Sequence, residues 1–95
     1  LRLRYTETAL RQIDEALFYK AAQSPRVAAR FSKRILAATA LIEADPNAAQ
    51  ATSRSRTRRV FLAPYPYFLF YHVAADEVVI TRLRHAARKP LPRFE

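Results

Sequence analysis

The chain has no glycine, cysteine, methionine or tryptophan among its 95 residues. Without glycine there is no phosphate-cradling Gly-rich loop, which needs backbone free of Cβ, and tight turns are expected to rest on Asn, Asp or Pro. Without cysteine there are no disulfides, no thiol chemistry and no Cys-ligated zinc, a usage that fits the cytoplasm. Two histidines, His72 and His85, are too few for a metal cage of their own, so neither a metal nor another cofactor is expected. The lack of methionine implies a slightly longer product carrying the initiator. No secretory segment is visible at the start, where Leu1-Arg2-Leu3-Arg4-Tyr5 alternates apolar with cationic residues. The longest apolar run, residues 60–71, is too short to cross a bilayer and contains Pro64 and Pro66, so no membrane partner is expected.

What the chain does have is positive charge and apolar bulk. Its formal charge is +9, carried by 17 Lys and Arg, of which 14 are Arg. Arginine forks favour bidentate recognition of carboxylate or phosphate, so the balance points to an acidic partner. At 51% apolar the chain can bury one modest core, and residues 1–95 are expected to form a single domain.

Period-two alternation over residues 1–5 predicts a half-buried strand near a sheet edge. Thr6 then suits an N-cap, with Glu7 in the first turn, and Ala9, Leu10, Ile13, Ala16, Leu17 and Lys20 recur at helical spacing. Gln23-Ser24-Pro25 breaks this helix and starts a second, with Ala28, Phe31, Ile35, Ala38 and Ile42 on one stripe. Asp45-Pro46-Asn47 stops it. The two helices read as an antiparallel αα-hairpin, and residues 48–57 as a connecting loop.

Three strands follow, over residues 58–63, 67–73 and 78–84, divided by Pro64-Tyr65-Pro66 and Ala74-Ala75-Asp76-Glu77. In the last, Val79, Thr81 and Leu83 are expected on one face, and Arg82 and Arg84 on the other. The hairpin can cover one side of this sheet, which leaves the aromatics and terminal arginines of the other side for a partner. The expected fold is α+β: an N-terminal strand and an αα-hairpin packed on one face of a small, mostly antiparallel β-sheet. The tail from Lys89 is expected to be extended by its prolines. Arg82, Arg84, His85 and Arg88 form a cluster whose mutual repulsion costs stability unless something anionic binds, and they are the expected target-binding residues.

The order strand, helical hairpin, loop and three-stranded meander resembles the RelE/ParE superfamily of bacterial type II toxins. Carrying that resemblance are Ala9 in the first helix, Pro25 opening the second, Asp45-Pro46 closing it, and Arg59. The Pro66-Tyr67-x-x-x-Tyr71 strand and His85-Ala86-Ala87-Arg88 point to the ParE-like branch. The resemblance implies a toxin paired with a ParD-like antitoxin that presents an acidic amphipathic helix or extended strand. The expected target is DNA gyrase, with operator DNA reached only through the antitoxin. It further implies that Arg59, Phe68, Phe70, Arg30 and Arg34 lie on the antitoxin-contacting side.

Two other readings stay open. A RelE-like, ribosome-dependent endoribonuclease would use Arg59, Arg82 and His85, but no strand position supplies a general base beside them. A non-toxic module partnering a DNA-binding antitoxin is the third. His85 also has a plainer reading, as a residue ordering the strand end by hydrogen bonds to backbone. The aromatics of residues 61–71 can be a base-stacking platform or, more simply, core and interface.

Overall fold

A computed structural model describes residues 2–47, 49–52 and 56–87. Strand β1 (Arg2–Tyr5) leads into helix α1 (Glu7–Gln23) through Thr6, whose hydroxyl accepts the Ala9 N–H at 3.1 Å. That bond satisfies one of the first-turn donors a helix cannot pair internally, and Glu7 complements the positive end of the helix dipole. Ser24 serves two helices. Its N–H closes α1 on the Lys20 carbonyl at 2.8 Å, while its hydroxyl accepts the Val27 N–H of α2 (Pro25–Ala44) at 3.3 Å.

The chain then forms a sheet from β2 (Gln50–Ala51), β3 (Arg58–Phe61), β4 (Tyr67–Ala74) and β5 (Glu77–His85). Strand order is β1-β5-β4-β3-β2, antiparallel except for the parallel pairing of β1 with β5. The α+β architecture with the hairpin on one sheet face is as expected. Ala9, Ile13, Ala16, Phe31, Ile35, Ala38 and Ile42 of the helices meet Leu62, Leu69, Tyr71, Val78, Ile80 and Leu83 in one core. Burying one such large side chain stabilises by roughly 1.5–3 kcal/mol. Tyr71 is fully buried, and its hydroxyl donates to the Pro46 carbonyl at 2.5 Å, tying the central strand to the end of α2. Among the described residues no helix is long and apolar enough to cross a membrane.

Several expectations need correction. Within residues 48–57, Gln50 and Ala51 pair with Arg59 and Arg58, so a short strand extends the sheet there. Arg58 holds it by donating from Nη1 to the Ala49 carbonyl at 2.8 Å. Leu10, expected on the buried stripe of α1, is 48% exposed. The turn between β4 and β5 contains Asp76, as expected of a glycine-free chain, but it is Ala75 that takes the left-handed conformation, at φ 54°. An alanine Cβ costs about 1–2 kcal/mol in that left-handed region.

The faces of the last strand are also reassigned. A β-bulge sets Ile80 opposite Tyr71 but Arg82 opposite Phe70, leaving Thr81 as the extra residue. One inserted residue shifts the alternation. Val78, Ile80 and Leu83 therefore face the helices, whereas Glu77, Val79, Arg82 and Arg84 share the other face, and the grouping of Val79 and Thr81 with Leu83 does not hold. The expectations for Leu1, for Arg88 and for the tail lie outside the described residues.

Candidate functional site

The sheet face turned away from the helices gathers most of the singled-out residues. Register places Arg59 opposite Phe70, Phe61 opposite Phe68, Phe70 opposite Arg82 and Phe68 opposite Arg84. Because strand neighbours stand side by side on one face, these residues form a continuous patch of rings and guanidinium groups. The Arg59 guanidinium carbon lies 4.2 Å from the Phe68 ring centroid, within cation–π range. Phe61 and Phe68 have centroids 5.1 Å apart, and Phe68 and Phe70 6.3 Å. Phe70 is only 3% exposed, so the patch has a dry centre. Beside it, Arg82 Nη1 is shut off from solvent without a hydrogen-bond partner. Burying a guanidinium N–H without an acceptor is costly, and an acceptor brought beside it would relieve that cost.

His85 is elsewhere. Strand alternation turns it with Leu83 to the helix side, where its ring stands edge-on to Tyr67 at 5.0 Å and its Nδ1 accepts the Ala87 N–H at 3.0 Å. That bond leaves the neutral ring's proton on Nε2 and orders the strand end. Arg34 is likewise occupied: Nε donates to the Ala63 carbonyl at 2.8 Å and Nη2 to that of Phe61 at 3.2 Å. It clamps the end of β3 to α2, and Arg30 is exposed on the same helix. The structure thus brings Arg59, Phe68, Phe70, Arg82 and Arg84 together on one face, turns His85 to the other face at the same strand end, and sets Arg30 and Arg34 on the helical side.

Two arrangements escaped the sequence. A cleft of about 1000 Å³ opens between α1 and the end of β5, lined by Arg11, Gln12, Glu15 and Tyr19 on the helix side and by residues 82–85 on the strand side. Its helical residues fall three and four apart, a polar stripe that could have been read as one face but had no partner assigned. The second is a box around Lys20, whose Nζ lies 4.9 Å from the Phe31 centroid, 4.9 Å from Tyr67 and 5.5 Å from Tyr65. A lysine on an apolar stripe does not announce which rings it will meet. Among the described residues no group of three or more His, Cys, Asp or Glu is placed to hold a metal ion.

Residues 3–90 match the family model described as the ParE toxin of the type II toxin–antitoxin system, parDE. The chain belongs to the ParE toxin family. It is 32% identical over 80 residues to the candidate toxin Y4kP of Sinorhizobium fredii, an alignment covering 84% of this chain and 83% of that one. Among solved structures, the ParE fold recurs in a chain of the chromosomal ParDE TA system from P. aeruginosa, with TM-score 0.78 at 18% identity, covering 90% of this chain and 95% of that one. A conserved protein of Helicobacter pylori, HP0894, shares it more loosely, with TM-score 0.50 at 21% identity, over 88% of this chain and 92% of that one.

Proposed function

We propose that this ParE-family chain inhibits bacterial growth by binding an essential cytoplasmic target, DNA gyrase, and is silenced by a ParD-like antitoxin. The observation that carries the reading is the open sheet face, where Arg59, Arg82 and Arg84 surround Phe68 and Phe70 and Arg82 keeps a buried, unpartnered N–H. Such a surface binds acidic groups and aromatic or apolar side chains. It is poorly equipped to cleave RNA. Among the described residues the one carboxylate that shares this face is Glu77, and Arg4 engages it at 3.1 Å. A 2′-hydroxyl on this face would find charge stabilisation but no free carboxylate among the described residues, and the nearest candidates, Glu15 and His85, lie in the cleft at the sheet's edge.

Regulated expression in bacteria, with plasmid supercoiling and messenger integrity read from the same culture, tests this directly. Growth arrest with lost negative supercoiling and intact messenger is expected. New codon-positioned cuts soon after induction would instead favour the ribosome-dependent nuclease, and undisturbed growth would favour a non-toxic binding module.

A further inference from the structure

Strand β5 has two different outer edges. Along Glu77–Ile80 it is covered by β1, whose last paired residue, Tyr5, lies opposite Ile80. Thr6 continues the cover by one step, its N–H donating to the Ile80 carbonyl at 3.0 Å and its hydroxyl to the Thr81 carbonyl at 3.2 Å. From Arg82 to His85 no strand among the described residues pairs with it, and the edge faces the cleft below α1. Here the Leu83 N–H donates to Gln12 Oε1 at 2.8 Å. A glutamine side chain ends in an amide, so Gln12 offers this edge the same acceptor that a neighbouring strand's peptide carbonyl would. N–H groups two residues apart in a strand point the same way. The His85 N–H therefore points outward beside that of Leu83. Consistent with this, the Ala86 N–H turns the other way, to the Pro66 carbonyl at 2.7 Å.

We infer that residues 82–85 of β5 accept an added strand from the antitoxin, in line with β1, and that Gln12 holds its place in the free protein. The strand's composition follows from its neighbours. Side chains turned to the open face would stand beside Arg82 and Arg84, and those turned to the helix side beside Leu83, Tyr67 and Tyr19. Among the described residues the cleft lining includes Arg11, Arg82 and Arg84 and the carboxylate of Glu15, which Arg11 approaches at 3.9 Å. The matching segment alternates acidic with apolar residues, and strand addition gives it affinity through main-chain bonds. This inference rests on the toxin reading above, since it specifies how that toxin's partner docks.

The test uses the full chain and the small protein encoded by its neighbouring reading frame. His85→Pro removes the outward N–H and blocks the edge without touching a bond to β4, a position where a strand tolerates proline. His85→Ala is the reference for the lost imidazole. Binding by His85→Pro roughly tenfold or more weaker than by His85→Ala is expected, the effect of an absent hydrogen bond with its acceptor left buried. Amide exchange at Leu83 and His85 should also slow in the wild-type complex, a readout that decides the matter if the proline variant fails to fold. Equal affinity of the two variants, or unchanged exchange at both amides, would overturn the added strand and leave the antitoxin pairing intact. No complex with the wild-type chain would overturn both.

Discussion

Phe70 and Tyr71 are consecutive in β4, and both are almost completely buried, but they belong to different parts of the molecule. Tyr71 faces the helices, packed among aliphatic side chains and hydrogen-bonded to the Pro46 carbonyl. Phe70 faces the other way, between Arg59 on one neighbouring strand and Arg82 on the next. Among the described residues, one sheet therefore presents a hydrocarbon face closed by the helices and a face of rings and arginines that no helix covers. The first uses burial for stability. The second gathers Arg59, Arg82 and Arg84 on one surface, an arrangement that raises the local positive potential and suits an anionic group.

The largest effect should come from breaking the closed face. Tyr71→Ala removes a fully buried ring from the core and is expected to cost about 3–5 kcal/mol, read from chemical denaturation. The milder Tyr71→Phe keeps the ring and loses only the bond to Pro46, for about 1 kcal/mol. It also sharpens the point with pH. Burial raises the Tyr71 pKa above its ordinary 10.0, against the lowering influence of the nearby Arg58 guanidinium. The neutral phenol is thus favoured in the folded state. Its contribution is complete below pH 10 and declines as pH rises through the raised folded value. Wild-type stability should fall more steeply above pH 10 than that of Tyr71→Phe.

Ala75→Gly alters neither face and tests only the turn joining β4 to β5. Relieving the left-handed alanine should raise stability by about 1 kcal/mol, seen as a higher melting temperature with unchanged growth inhibition. The smallest change in stability, and the largest in function, is expected on the open face. Arg84→Ala should alter stability by no more than about 0.5 kcal/mol, and Arg82→Ala, which removes a buried N–H without an acceptor, should leave the fold intact, while both abolish growth arrest at equal expression. Full toxicity of both would move the active surface elsewhere, with exposed Arg30 on α2 the next place to look.

Local chemistry explains why some of this could be read from residues and some could not. Thr6, Ser24 and Pro25 mark helix ends through bonds made within a few positions, so both helices were legible to within a residue or so. The apolar stripe containing Phe31, Ile35, Ala38 and Ile42 likewise needs only helical periodicity. The Thr81 bulge depends on how β5 meets β4, and nothing in Val78–Arg84 alone tells that one residue will be left out of the alternation. Alternation alone sets His85 on the face opposite its neighbour Arg84, so its place on the helix side needed no knowledge of the bulge. Arg34 looked like a solvated cation because its acceptors, the carbonyls of Phe61 and Ala63, are backbone groups that no pattern of side chains reveals. Arg11, Gln12, Glu15 and Tyr19 gained meaning only when α1 was laid along β5.

The pairing of β1 with β5 has a consequence in time. Arg4 and Glu77, joined across that pair, are 73 positions apart, so β1 must wait for β5 to be made. At about 5–20 residues per second that wait is several seconds. Until then the core face of Val78 and Ile80 does not exist, and the Arg82–Arg84 end of the open face has not been made. Growth inhibition as proposed here therefore waits until β5 has been made. A partner already present when synthesis ends could meet the sheet as it closes, before the finished arginine face has met anything else.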